Sequence, residues 1–379
     1  MTRSLFCIIL LLFLSLSAIS QHNILLRVES LPSYHSSGND IYLAGSFNGW
    51  NPQDAKYKFQ KDEKGNYFFD LKLDNGTYEY KITRGGWDKV ECRKNGAGIE
   101  NRILKLSSDT VISLTIEEWA DRFLTQPKKS TASKNVHIID TAFVIPQLKR
   151  IRRVWIYLPE GYDKTSGNRY PVLYMHDGQN VFDDATAYAG EWGVDEFLDS
   201  TKQKQAIVVA VDHGGDKRLV EYNPYDNDRF GKGEGDRYVD FLVNTLKPFI
   251  DKNFRTVKDK EHTFIAGSSM GGLISMYAVI KYPEVFGGAG VFSPAFWVGP
   301  KIFDDIKAKG GKTTSAIYFY GGSLEGETMV PDMEKAYEEM KKISKSKLKI
   351  VVNENGKHNE PTWRKEFPEF YKWISPQTP

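Results

Sequence analysis

Serine, histidine and acidic side chains able to open an ester recur in this 379-residue chain directly after short apolar runs. The most specific place is Gly267-Ser268-Ser269-Met270-Gly271, a G-x-S-x-G that closes the strand-like run His262 to Ala266. A small-residue apolar run with helical spacing follows from Leu273 to Ile280. Glycines on both sides of a serine let a strand turn sharply into a helix, which holds the hydroxyl on a strained, exposed apex. Serine alone is a weak nucleophile. It needs a base to take its proton and N–H groups to hold the developing oxyanion, and the elbow offers one of these at Met270.

The partners stand elsewhere in the chain. After Leu173-Tyr174-Met175 comes His176-Asp177-Gly178-Gln179-Asn180, a glycine turn at the end of a buried strand, and the second oxyanion donor is assigned to the N–H of Gly178 or Gln179. His176 itself is read as a brace for that loop. After Ile317 to Tyr320 comes Gly321-Gly322-Ser323-Leu324-Glu325-Gly326-Glu327, where a carboxylate can orient a histidine and stabilise its imidazolium. Glu325 is favoured for this over Glu327 and Asp332. His358 comes after the run Lys349 to Val352, and an imidazole there can carry the Ser269 proton to the leaving group. The order Ser269, Glu325, His358 is that of α/β-hydrolases. Arg218, Glu221 and Tyr222, downstream of Asp212-His213-Gly214-Gly215, are candidate substrate contacts. So is Trp297, whose ring offers a stacking face to a sugar or an aromatic acyl group. No metal or other cofactor is expected, since Asp226-Asn227-Asp228 lacks the spacing of a calcium loop.

Elements of two kinds must position these residues. From Val136 onward, strand-like runs at Val154 to Leu158, Val172 to Met175, Ile207 to Val211, Thr263 to Ala266, Ala289 to Phe292, Ile317 to Tyr320 and Leu348 to Val352 alternate with helical patterns. The helices fall near Trp192 to Ser200, Gly235 to Lys252, Gly272 to Lys281, Met329 to Ile343 and Trp363 to Trp373. This alternation predicts an α/β three-layer sandwich with a mainly parallel sheet and its site at the strands' C-terminal ends. Before it, runs such as Ile41 to Ala44, Tyr67 to Leu71, Tyr78 to Ile82 and Val111 to Leu114 sit between turn residues, predicting a small all-β, immunoglobulin-like sandwich. The expected organisation is 1–20 leader, 21–120 β-sandwich, 121–135 polar linker and 136–379 hydrolase.

Residues 1–20 combine Arg3, an apolar run and Ala18-Ile19-Ser20, the pattern of a secretory signal peptide cleaved after Ser20. No second long apolar stretch follows, so a protein exported to the periplasm or beyond, with no membrane span once mature, is expected. Of the two cysteines, Cys7 lies in the leader and Cys92 has no partner for a disulfide. A net charge of +2, with both signs interspersed, is too small to suggest a nucleic-acid partner, and none is expected.

The catalytic half is similar to the esterase D or enterochelin-esterase-like family of α/β-hydrolases, which includes feruloyl and acetyl-xylan esterases of carbohydrate esterase family 1. His176 to Asn180, Gly214-Gly215 with Arg218 to Tyr222, Gly267 to Gly272 and Gly356-Lys357-His358 carry the resemblance. The family's Gly-x-x-acid turn corresponds here to Gly322-Ser323-Leu324-Glu325. Upstream, Gly45-Ser46-Phe47-Asn48-Gly49-Trp50-Asn51, Gly76 to Lys81 and Gly85-Gly86-Trp87 resemble the glycogen- and starch-binding modules of carbohydrate-binding module family 48. That resemblance implies that Trp50, Trp87 and Lys81 grip an α-glucan. Taken together, the expectation is an exported serine esterase acting on acetyl or feruloyl esters linked to carbohydrate. A siderophore esterase and a carbohydrate-binding protein with an inert hydrolase half are the alternatives, and acyl transfer to a sugar would share the same acyl-enzyme.

Overall fold

The computed structural model describes residues 21–123, 128–164, 167–201 and 205–375. The leader, 1–20, and residues 124–127 of the expected linker lie outside the described residues. The chain divides into two compact units, one within Met1–Leu124 and one within Thr125–Pro379. Among the described residues no helix is long and apolar enough to cross a membrane.

The first unit is mainly β. Tyr67–Asp74 shows how: Tyr67, Phe69 and Leu71 point inward while Phe68, Asp70 and Lys72 are more exposed, the two-residue period of a half-buried strand. A four-stranded sheet runs in the order Gln60–Lys61, Tyr67–Asp74, Gln21–Ser30, Thr110–Thr115, and a three-stranded sheet in the order Tyr42–Gly45, Gly76–Thr83, Arg102–Leu106. Ile24, Leu26, Phe69 and Leu114 from the first and Leu43, Ile82 and Leu104 from the second share one core with Trp119. The strand Gln21–Ser30, absent from the expected set, lies in the middle of its sheet, antiparallel to Tyr67–Asp74 and parallel to Thr110–Thr115.

The second unit is built on eight strands: β1 (Val136–Ile145), β2 (Arg150–Tyr157), β3 (Val172–His176), β4 (Ile207–Val211), β5 (Thr263–Ser268), β6 (Gly288–Phe292), β7 (Ala316–Gly322) and β8 (Leu348–Asn353). Their order in the sheet is β1-β2-β4-β3-β5-β6-β7-β8. Neighbours from β4 to β8 pair parallel, and β1 and β2 join antiparallel at one edge. The helices are α1 (Val194–Ser200), α2 (Arg218–Glu221), α3 (Gly235–Phe241), α4 (Lys247–Asn253), α5 (Met270–Lys281), α6 (Ile302–Lys309), α7 (Met329–Ile343) and α8 (Glu360–Ile374). Successive side chains of a central strand enter opposite cores. Val172 and Tyr174 pack on one face with Ile207, Val209 and Leu273, whereas Leu173 and Met175 pack on the other with Val208, Phe367 and Phe370. Both faces are covered, so these strands read as unbroken apolar runs. This is the α/β-hydrolase three-layer sandwich.

Residues 128–135, inside the stretch expected as linker, are fastened to the second unit. Ser130 Oγ donates to Asp183 at 2.9 Å, Thr131 N–H to the same carboxylate at 3.1 Å, and Ser133 N–H to Asp195 at 2.7 Å.

Candidate functional site

Ser269 joins β5 to α5 with φ 59° and ψ −120°, a conformation that costs a non-glycine residue about 1–3 kcal/mol and persists only where its surroundings enforce it. The surroundings here are tight. A Cβ on Gly267 would come within 2.8 Å of the His176 ring and 3.0 Å of Gly271 Cα, so strand and helix can cross this closely only without side chains. Ser269 N–H donates to Phe292 O at 3.0 Å, and Ala295 N–H donates back to Ser269 O at the same distance, which anchors the turn to the end of β6. Met270 opens α5, so its N–H is one of the donors a helix start leaves unpaired.

Because β5, β6, β7 and β8 are parallel neighbours, the loops leaving their C-terminal ends emerge at one edge of the sheet. Ser269 comes after β5, Ser293 after β6, Glu325 after β7 and His358 after β8. The last two meet: His358 Nδ1–H donates to Glu325 Oε2 at 2.7 Å, leaving Nε2 as the acceptor nitrogen. Glu325 Oε1 also accepts from Ser293 Oγ–H at 2.8 Å and Gly322 N–H at 2.7 Å, and its side chain is 0% exposed. Ser293 Oγ in turn accepts from Trp363 Nε1–H at 2.8 Å, and the edge of the Trp363 ring system meets His358 with centroids 5.1 Å apart. The acid turn and the histidine loop touch at Gly322 and Gly356, where a Cβ on Gly322 would lie 2.2 Å from Gly356 O. Among the described residues Ser269 Oγ and His358 share no hydrogen bond. Ser293 and Trp363 were not foreseen as parts of this network, and a serine after a strand or a tryptophan on an apolar helix face carries no signal for it.

The loop after β3 is held by charge. Asp177, at φ 57° and ψ 49°, is forked by Arg218, Nε to Oδ1 at 2.7 Å and Nη2 to Oδ2 at 2.8 Å. Burial would raise the Asp177 carboxyl, but the Arg218 charge and hydrogen bonds outweigh it and hold the group below the ordinary carboxylate value. Arg218 Nη2 also reaches Ser268 O at 3.4 Å, tying this loop to the elbow. Among the described residues the N–H groups of Gly178 and Gln179, like that of Met270, donate to no protein acceptor. His176 is buried against Tyr222 and Tyr238, with Nδ1 3.0 Å from the Tyr238 hydroxyl, and burial pushes it down to about 4. It is therefore neutral at pH 7.

The expected pocket residues separate. Trp297 is 45% exposed, edge-on to Phe230, two positions beyond the Ala295 that anchors Ser269. Glu221 and Tyr222 are buried inside the protein, which runs against the expectation of substrate contact for both. Glu221 is buried under Arg150 and Arg152, and Tyr222 is buried with its hydroxyl accepting from Asp177 N–H at 3.3 Å. Arg218 is committed to Asp177. These three side chains build the loop's support because their charges and hydroxyl are spent inside the protein. A groove of about 720 Å³ lined by Arg169, Lys252, Arg255 and Lys258 includes none of the catalytic candidates.

In the first unit Trp50 and Trp87 lie side by side and partly exposed, with ring centroids 6.2 Å apart and tilted by 40°. Trp50 has φ 60°, following Gly49 at φ 65°, and Asn48 clamps this turn through Gly45 N–H and the Leu43 and Asn51 carbonyls. Lys81 donates to Ile99 O at 2.5 Å, and burial lowers its pKa.

Comparison with known proteins places these units. The pullulanase X25 domain family matches residues 37–116, and the Esterase family matches residues 145–374. YbbA, an uncharacterized protein of Bacillus subtilis, is 27% identical over 242 residues, 59% of this chain and 92% of that protein. An endo-1,4-beta-xylanase/feruloyl esterase of Xylanibacter ruminicola is 30% identical over 215 residues, 55% of this chain but only 27% of that longer protein. The enterochelin esterase of Shigella flexneri has the same fold, with a TM-score of 0.52 at 16% identity, covering 93% of this chain and 92% of its own. With the Esterase match spanning more than half of its length on an α/β-hydrolase sheet, the chain belongs to the Esterase family and carries a pullulanase X25-type domain ahead of it.

Proposed function

We propose that the protein is an exported serine esterase that cleaves carbohydrate-linked carboxylic esters, acetyl or feruloyl, through an acyl-enzyme. The observation that carries this is the 2.7 Å bond from His358 Nδ1–H to a fully buried Glu325, at the sheet edge that also carries the strained Ser269. Glu325 fixes the tautomer with Nε2 free to accept a proton. Ser269 Oγ attacks the ester carbonyl as His358 Nε2 takes its proton. The Met270 N–H and that of Gly178 or Gln179 hold the oxyanion, each worth about 10²–10³ in kcat. The alcohol then leaves with the proton from His358, and water, activated by the same nitrogen, releases the acid. The gap between Ser269 and His358 closes with substrate, since catalytic hydrogen bonds are often long in ligand-free enzymes.

Support for a carbohydrate-linked substrate is twofold: the matched X25-type domain, and a relative whose name joins a xylanase to a feruloyl esterase. Trp297 supplies a stacking face beside the elbow. The test uses p-nitrophenyl acetate, feruloylated and acetylated oligosaccharides and a catecholate siderophore ester, with products identified by mass. Ser269→Ala should lower kcat by about 10⁴–10⁶-fold with the fold intact. Equal, negligible rates for both proteins on every ester would leave only a binding protein. Siderophore turnover alone would replace the carbohydrate substrate, and acylated sugar acceptors among the products would mean transfer. Expression with the leader, followed by intact mass of the released protein, should show a chain starting at Gln21.

A further inference from the structure

Three acidic residues stand apart from this machinery. Glu191, Asp195 and Glu196 lie just before and within the first turn of α1, and each has one oxygen committed. Arg364 Nη1 donates to Glu191 Oε1 at 3.1 Å, Arg364 Nη2 pairs with Glu196 Oε1 at 3.4 Å, and Ser133 N–H donates to Asp195 Oδ2 at 2.7 Å. The other oxygen of each, Glu191 Oε2, Asp195 Oδ1 and Glu196 Oε2, is buried and has no hydrogen-bond partner. Glu191 is only 5% exposed and Asp195 0%.

Leaving one buried acceptor without a donor is costly, and here three neighbouring acids each have one. Their charges compound the cost. With all three ionised, three carboxylates against one guanidinium would leave two negative charges in a region of low dielectric, where like charges repel strongly. One oxygen from each residue lies within 4.8 Å of the other two, close enough to share a single ion held at about 2.3–2.6 Å. The donors are all carboxylate oxygens, with no sulfur or imidazole, which suits a hard cation and not zinc or copper.

We propose that Glu191, Asp195 and Glu196 bind one calcium ion that fastens residues 128–135 and α8 to α1. Calcium tolerates irregular oxygen shells of six to eight ligands, whereas magnesium demands a near-octahedral one. The side chain of Glu196 is 36% exposed and opens the site to the waters that complete the shell. The fastening comes from the groups around the ion: Ser133 holds Asp195 from one segment, and Arg364 holds Glu191 and Glu196 from the helix that begins two residues after His358. The ion takes no part in the chemistry at Ser269. Residues 191, 195 and 196 match no calcium-loop spacing, and an ion here departs from the expectation that no metal is bound.

The rival occupant is protons. Burial first, then the charge of Glu196, pushes Glu191 up to about 7, and burial pushes Asp195 up to about 8, so two protonated acids would satisfy the same oxygens. The full chain, stripped with EDTA and exchanged into metal-free buffer at neutral pH, is melted with and without about 1 mM calcium chloride, a concentration that fills extracellular sites. Calcium should raise Tm by about 5–10 °C, and native mass spectrometry should show one ion per chain. Asp195→Asn should lose the response while Asp226→Asn keeps it. A wild-type Tm indifferent to calcium, with no ion in the mass spectrum, overturns the proposal and assigns the cluster to protons. Because the mass spectrum reads the unmodified protein, this holds even if Asp195→Asn does not fold.

Discussion

Ser293 braces the Glu325–His358 pair from outside it. Its hydroxyl donates to Glu325 and accepts from Trp363, so Ser293→Ala leaves a buried carboxylate oxygen short of one donor and an indole N–H without an acceptor. We expect kcat to fall about tenfold with KM nearly unchanged, because the loss loosens the orientation of His358 and not the binding of the ester. Steady-state kinetics separate the two. His176 gives a second residue-scale prediction. Folded, it titrates near 4, against 6.5 for an ordinary histidine, so between these values the unfolded chain binds more protons and stability falls on acidification by on the order of 3 kcal/mol. Urea titrations from pH 7 to 4 should show that slope, and His176→Leu should flatten it. At this scale the meeting of Glu325 and His358 was legible in the sequence. Glu325 and His358 come after the last two parallel strands, and such turns necessarily adjoin. Glu221 and Tyr222 also come after a strand, but whether a side chain faces ligand or protein depends on which arginines and tyrosines surround it, and those come from distant segments.

At the scale of elements, the elbow and the loop after β3 are separate pieces joined by Arg218, which binds Asp177 and reaches Ser268 O. Arg218→Met should strand the Asp177 charge in the interior and cost about 3–5 kcal/mol of stability in urea denaturation, with kcat reduced as well. Adding Asp177→Asn should recover part of the stability. Central strands were legible from composition, because a strand buried on both faces is a short unbroken apolar run, as in Ile207–Val211. The edge strand Val136–Ile145 was not. It is exposed along much of its length, and its pairing with Arg150–Tyr157 shifts register twice, so no period survives in the sequence. Ile302–Lys309 escaped for a different reason, since its two turns offer only Ile302, Phe303 and Ile306 as a buried stripe.

For the whole molecule, the change of rhythm from Val136 onward, after the polar stretch 121–135, pointed to two units, because alternating strands and strand-helix repeats bury their apolar residues in different patterns. The two tryptophans of the first unit test what that unit contributes. Trp50→Ala and Trp87→Ala should each weaken retention in glucan-containing native gels while leaving kcat on p-nitrophenyl acetate unchanged. Unaltered retention by folded variants would exclude these sugar contacts. In the second unit, parallel pairing from β5 to β8 sets Ser269, Glu325 and His358, the groups proposed to attack, to bear charge and to carry the proton, on a backbone lattice, whereas Trp297 rides on a connecting segment beyond it. Appetite for one acyl group over another can then be retailored by rewriting the connecting segments, with the distances that govern bond-breaking inherited unchanged.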